Sequence, residues 1–178
     1  PRVMAELAAG CGKLELQLRV TKGRIAGCRI YGDFFGSRDS AEVEQALLGF
    51  DYCTPVMGTL TSDFGYREHP VEGEEKFHYG LDIAADTGTD IGCFADGVVT
   101  AVGESSSYGK YVMVSHGEDY STLYAHCSRI LAASGASVKE GDAIAKVGET
   151  GVATGPHLHF ELHDGDLYLN PIYYVELQ

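Results

Sequence analysis

The sequence predicts a mainly β protein: an antiparallel sheet domain preceded by a small ββα segment, a hairpin followed by a helix. Three observations predict it. From Pro55 onward, short runs rich in Val, Ile and Tyr recur between glycine-containing turns. Near the start, Leu14, Leu16, Leu18 and Val20 alternate with Lys13, Glu15, Gln17 and Arg19, the period of a half-buried strand. Finally, the charge breaks near residue 50. Residues 1–50 carry seven basic and six acidic side chains, a balance of +1, while 51–178 carry six and twenty, a balance of −14. The 178 residues therefore divide into a small segment, 1–52, and a larger domain, 53–178.

The first element is the hairpin. The Leu14–Val20 strand runs into Thr21-Lys22-Gly23 and a second strand spans Arg24 to Tyr31. A two-residue loop would set Leu16 against Arg29. A three-residue loop with Gly23 in the left-handed conformation pairs Leu18 with Ala26 and Leu16 with Cys28, which keeps one face apolar, and is the register expected. The helix follows. Asp39 can cap it with Glu42 reaching back, Val43, Ala46 and Leu47 recur at helical spacing, and Gly49 ends it. In the larger domain the expected strands are Gly97–Gly103, Lys110–His116, Tyr120–His126, Ala143–Gly148 and His157–His163.

Composition excludes several functions. A net charge of −13 does not suit a nucleic-acid binder, which needs a basic face. No apolar run approaches the roughly 18 residues of a membrane helix, and no signal peptide is read at the start of the chain. There is no G-x-x-x-x-G-K-[ST] loop to cradle phosphates. The five cysteines include no C-x-x-C pair, so they read as small buried hydrophobes rather than a zinc site or a disulfide framework.

All seven histidines lie in the larger domain. Residues two apart in a strand share a face, so His157 and His159 project together while Leu158 and Phe160 turn into the core. Two imidazoles side by side call for something bound to them. Zinc takes neutral imidazole nitrogen and carboxylate oxygen. In the extended chain His78 and Asp82 also share a face. Three ligands drawn from these four residues leave a fourth position for water, the catalytic rather than the structural pattern. Glu161 lies on the face of His157 and His159, where it could fix an imidazole tautomer. His116 is read as structural, His69 and Arg67 as paired with the acidic surface or lining the groove, and His163 as exposed beyond the strand core.

The segments His78-x-x-x-Asp82, Tyr124-Ala125-His126 and Gly155-Pro156-His157-Leu158-His159-Phe160-Glu161 resemble the three motifs of lysostaphin-like zinc endopeptidases. Phe64-Gly65-Tyr66-Arg67-Glu68-His69-Pro70, Ala95–Val99 and Val138–Asp142 extend the resemblance over roughly residues 55–175. It implies an antiparallel sheet groove with one zinc ion at its floor and hydrolysis of peptide bonds in bacterial peptidoglycan by a metal-activated water. It also implies an extracytoplasmic location. Carried over by position, His78, Asp82 and His159 hold the zinc, and His126 and His157 flank the water. Which of these two is the base stays open. Arg67 and Tyr108 are candidates for substrate contact along the groove. Some relatives lack a ligand and act as scaffolds or activators of wall enzymes, but all five motif side chains are present here. Others are held latent by an upstream Asn on the metal; the one Asn here is Asn170, so an accessible site is expected.

The stretch Gly12 to Gly49, with Ile30-Tyr31-Gly32-Asp33-Phe34-Phe35-Gly36 at its centre, resembles the start of the C-terminal accessory domain of bacterial lipoate–protein ligases. The resemblance does not extend to that family's ATP- and lipoate-binding domain, so lipoate ligation is not expected. A unit this small buries too little surface to be stable alone. It is expected to pack on the larger domain or to self-associate with a second copy.

Overall fold

A computed structural model describes residues 2–5, 14–21, 24–32, 51–68, 75–117 and 119–177. The chain divides into two compact units, Pro1–Phe50 and Asp51–Gln178. The first holds one antiparallel sheet in the order β1-β2-β3, with β1 Arg2–Ala5, β2 Leu14–Thr21 and β3 Arg24–Gly32. The strand β1, too short to stand out in the sequence, pairs Ala5 with Leu14 and Arg2 with Gln17. The helix expected after Asp39 lies outside the described residues.

The hairpin register differs from the one expected. Thr21 pairs with Arg24 and Val20 with Ile25, then the register shifts and Arg19 meets Gly27, Leu18 meets Cys28 and Leu16 meets Ile30. The connection is therefore two residues, and Ala26 is the extra residue of a bulge. A bulge shifts the register without lengthening the loop, so Leu16 and Leu18 meet Ile30 and Cys28 by a route that alternation alone does not reveal.

The second unit is a sheet domain. Its strands are β4 Thr59–Ser62, β5 Gly65–Glu68, β6 Glu75–His78, β7 Leu81–Ala84, β8 Asp90–Gly92, β9 Gly97–Ser105 and β10 Gly109–Ser115. They continue with β11 Tyr120–Cys127, β12 Arg129–Ile130, β13 Ser137–Val138, β14 Ala143–Lys146, β15 His157–Asp164 and β16 Leu167–Leu169. The main sheet runs β13-β9-β10-β11-β15-β7-β4, with β16 folded back on β15. A small sheet, β12-β14-β8, and the hairpin β5-β6 complete the unit. Asn170 caps the 3-10 turn Pro171–Tyr173 by accepting from the Ile172 N–H. No described helix is long and apolar enough to cross a membrane.

Alternation along β15 decides which face does what. Leu158, Phe160 and Leu162 are fully buried, packed with Tyr124, Phe94, Leu81 and Ile83. Burial of each such side chain stabilises the fold by roughly 1.5–3 kcal/mol, an upper range because the unfolded chain is partly collapsed. The other face of the same strand presents His157, His159, Glu161 and His163. The neighbouring strand β7 follows the same rule: Leu81 and Ile83 point inward, and Asp82 pairs directly with His159. Core packing thus holds the polar residues in fixed register.

The cysteines Cys93 and Cys127 are buried and Cys53 half-buried, all three free thiols. Burial raises all three, Cys93 to about 11 and Cys127 to about 12, as expected of inert core thiols.

Candidate metal centre

The site is built by three pieces of backbone. The segment through the β6-β7 turn carries His78 at the end of β6 and Asp82 on β7, β15 carries His157 and His159, and the end of β11 carries His126. Gly80 sits in the first turn because a Cβ there would lie 2.4 Å from the Phe160 carbonyl oxygen and 3.0 Å from the His159 ring. The bare backbone lets β7 approach β15 closely enough for Asp82 to reach His159.

Three potential ligand atoms converge. His78 Nε2 lies 3.1 Å from Asp82 Oδ1 and 3.0 Å from His159 Nδ1, and His159 Nδ1 lies 2.8 Å from the same Asp82 oxygen. The outward nitrogens explain why. His78 Nδ1–H donates to the Asp63 carbonyl at 2.8 Å, and His159 Nε2–H donates to Glu161 Oε1 at 3.0 Å. Each bond fixes a tautomer that leaves a lone pair facing inward. Two imidazole lone pairs and a carboxylate oxygen therefore meet at one point, buried to within 13% exposure. Such a cluster repels itself unless a positive charge sits among it.

The titration of the groups says the same. Burial would raise Asp82, but its interaction with the His159 and His78 imidazoles outweighs burial and holds the carboxyl well below its usual range. Burial would lower His159, yet the carboxylates of Asp82 and Glu161 on either side push it up to about 9. A proton or a metal ion meets that demand. Two nitrogens and one carboxylate oxygen are the donor set of a divalent ion such as zinc. The residues fit the metal.

Beside this cluster stand the other two histidines. His126 Nδ1–H donates to the Thr150 carbonyl at 2.7 Å and His157 Nδ1–H to the Gly155 carbonyl at 2.8 Å. Both are left with an Nε2 lone pair. Their ring centroids are 4.7 Å apart, and His157 Nε2 is 3.7 Å from Asp82 Oδ1. Among the described residues His126 alone combines a side chain with positive φ, at 60°. Histidine tolerates that left-handed conformation better than most residues, and such positions cluster at functional sites. Here it is held by the His126 N–H bond to the Tyr108 carbonyl at 2.8 Å. Two interlocked loops supply these carbonyls. Gly109 lies so close to Thr150, and Gly151 to Gly109, that a Cβ at either would collide with backbone at 2.3 Å; both glycines have positive φ.

Burial lowers His126 to about 4. Its neutral form therefore dominates near neutrality. The linkage has a definite sign: with the folded value below the unfolded 6.5, stability is intact above pH 6.5 and falls as pH drops toward 4. The loss expected is about 3 kcal/mol over that window. Urea unfolding of metal-free protein from pH 7 to 4.5 should show that slope, and His126→Gln should flatten it. An identical slope in both proteins would show that His126 is not the titrating group.

Glu161 is the hub behind the cluster. It is 1% exposed, and its Oε1 accepts from both His159 Nε2 and the Tyr108 hydroxyl, the latter at 2.8 Å. Burial opposes its ionisation, but hydrogen bonds from His159 and His163 hold it down at about 2. Tyr108 thus lies at the cavity, bonded to Glu161 while its ring stands 5.8 Å from that of His159. Arg67 lies on β5 opposite Lys76, but its side chain, like His69, lies outside the described residues. His116 is tied to the Asp96 carbonyl and to Thr122 Oγ1, away from the cluster. His163, expected to be exposed, is only 13% so: β15 runs on to Asp164, and β16 folds Tyr168 against it.

The cluster forms the floor of an open cavity of about 250 Å³. Phe77, Tyr79, Val152, Ala153 and Thr154 line it together with the cluster. Sequence reasoning missed Asp63, Thr150 and Gly155, which act through backbone carbonyls. It also missed Phe77, Tyr79 and the loop 152–154.

The sequence profile of peptidase family M23 matches residues 76–171, the stretch that supplies His78, Asp82, His126, His157 and His159. The chain belongs to peptidase family M23. This is a metallopeptidase family, in accord with the donor set. Residues 5–67 match the C-terminus of bacterial lipoate protein ligase. Among M23 relatives, peptidoglycan DD-endopeptidase ShyB of Vibrio cholerae is 41% identical over 148 residues, covering 83% of this chain and 34% of that protein. DD-carboxypeptidase/endopeptidase Mpg of Neisseria meningitidis serogroup B is 40% identical over 134 residues, 75% of this chain and 31% of that one. The chain thus spans about a third of the length of these relatives. The crystal structure of a zinc-containing peptidase from Vibrio cholerae aligns with a TM-score of 0.65 at 30% identity, over 99% of this chain and 50% of that one.

Proposed function

We propose that this chain carries a zinc-dependent endopeptidase that hydrolyses peptide bonds of bacterial peptidoglycan outside the cytoplasm. The observation that carries the reading is the pairing of two sets of lone pairs on one cavity floor. His78, Asp82 and His159 converge on a point that demands a cation, and His126 and His157 aim two further acceptors beside it. A scaffold would have no need of the second pair. The names of the M23 relatives support the substrate class.

His78, Asp82 and His159 would hold the ion, which when bound would polarise the scissile carbonyl and make a water nucleophilic near neutral pH. The remaining work falls to the chain. His126 and His157 accept hydrogen bonds at Nε2 and orient the attacking water. We assign the proton to His157 Nε2, because Asp82 at 3.7 Å offsets the charge that forms there, whereas burial opposes charge on His126. His157 can then return the proton to the leaving amine. Phe77, Tyr79 and the 152–154 loop, which line the cavity, hold the peptide. The segment 1–52 is assigned no step in this chemistry, and self-association through it stays a proposal of its own.

The test is digestion of purified sacculi of several cross-link chemistries by zinc-loaded protein, with mass spectrometry of the released fragments. New peptide ends that vanish with a chelator and return with zinc are expected. Stoichiometric zinc without new ends from any wall type would overturn the proposal.

A further inference from the structure

The sheet face that carries the metal cluster continues beyond it, and its last member has no place in the mechanism above. His163 Nε2 lies 2.8 Å from Glu161 Oε2, the oxygen that neither His159 nor Tyr108 uses. The bond is almost fully shielded, with Glu161 1% and His163 13% exposed. Its geometry is fixed from two sides. His163 pairs with Tyr168 across β15 and β16, and the two rings stand edge to face with centroids 4.6 Å apart. The next ring, Tyr79, lies 4.4 Å from Tyr168 and lines the cavity.

We propose that His163 is a positioning residue for the metal centre, acting through Glu161 on His159. A carboxylate can rotate about its terminal bond, and one held at a single oxygen could turn its other oxygen toward His159 or swing away. With Oε2 held by the His163 N–H, Oε1 stays on the line where it receives both the His159 Nε2–H and the Tyr108 hydroxyl. The His159 ring is thereby held in the tautomer and orientation that aims Nδ1 at the cluster. Outer hydrogen-bonding partners of metal-bound histidine commonly set affinity by 10–100-fold. Here the carboxylate itself needs a partner, because a buried anion with one oxygen unmatched is costly. The inference rests on the proposed metal site but not on the substrate.

The experiment measures zinc affinity by chelator competition on the whole chain, without substrate, for wild type, His163→Leu and His163→Gln. Leu keeps the volume that packs on Tyr168 and removes the donor. Gln restores an N–H near the Nε2 position. The expected result is weakening by roughly 10-fold or more in His163→Leu, with His163→Gln within about threefold of wild type. The unfolding midpoints of the metal-free proteins serve as the structural control, and a purely packing role would move them in step with affinity. Unchanged affinity in His163→Leu, or Gln no better than Leu, would overturn the inference. A wild-type chain that binds no zinc would instead overturn the metal site on which both proposals rest, so the two failures are distinguishable.

Discussion

Asp82→Asn is expected to abolish metal retention and peptide hydrolysis together while leaving the fold intact. The substitution is nearly isosteric, so β7 should keep its pairing with β15 and Leu81 and Ile83 their places in the core. What changes is charge and lone-pair direction. Asp82 Oδ1 touches both imidazoles, at 3.1 Å from His78 Nε2 and 2.8 Å from His159 Nδ1. An amide there either turns an N–H donor inward, where a cation should sit, or offers only a neutral carbonyl oxygen. The loss of affinity should exceed the roughly 10–100-fold that removing an outer partner costs. Metal content after gel filtration, and activity on sacculi in the presence of excess zinc, are the measurements. Full zinc occupancy in Asp82→Asn would show that the ligand set is wrongly drawn.

How far the sequence discloses this site depends on which interactions carry it. The pair His157 and His159 is legible because a strand alternates and the residues between them, Leu158 and its neighbour Phe160, are plainly core. That Glu161 joins them follows from the same period. The neighbour relation of Asp82 and His159 is not legible from periodicity, since it is a cross-strand register set by the backbone approach at Gly80. There the family motifs carried the reading, not the local pattern. The carbonyls of Asp63, Thr150 and Gly155 leave no trace at all, because every residue has a carbonyl and only the loop path decides which one faces a histidine. The burial of His163 is illegible for a related reason. Its exposure depends on β16 returning over β15, and Leu167–Leu169 is too short to announce a strand. The hairpin of the small unit shows the same limit. Alternation selects the apolar face, but it cannot distinguish a longer loop from a shorter one with a bulge at Ala26.

His157→Ala is expected to retain metal and to lose roughly 10²–10⁴-fold in kcat, the range for loss of a general base. Metal should stay because His157 is not among the three converging atoms; its Nε2 is 3.7 Å from Asp82 Oδ1, outside hydrogen-bonding distance. The fold should hold because the side chain opens onto the cavity and its own backbone pairs with Ala84. The comparison with His126→Ala separates the two histidines. Burial keeps His126 unprotonated down to about pH 4, so removing it takes away an acceptor that orients the water but not the group assigned the proton. His126→Ala should therefore lose less of kcat than His157→Ala. Added imidazole should restore part of the activity of His157→Ala, because the vacated side chain leaves room on the open side of the cavity. If His126→Ala loses more of kcat than His157→Ala, the two roles are exchanged. If His157→Ala keeps activity within tenfold of wild type, the proton goes elsewhere. In either case the arrangement of acceptors around His78, Asp82 and His159 would be unaffected, since it rests on distances among those residues alone.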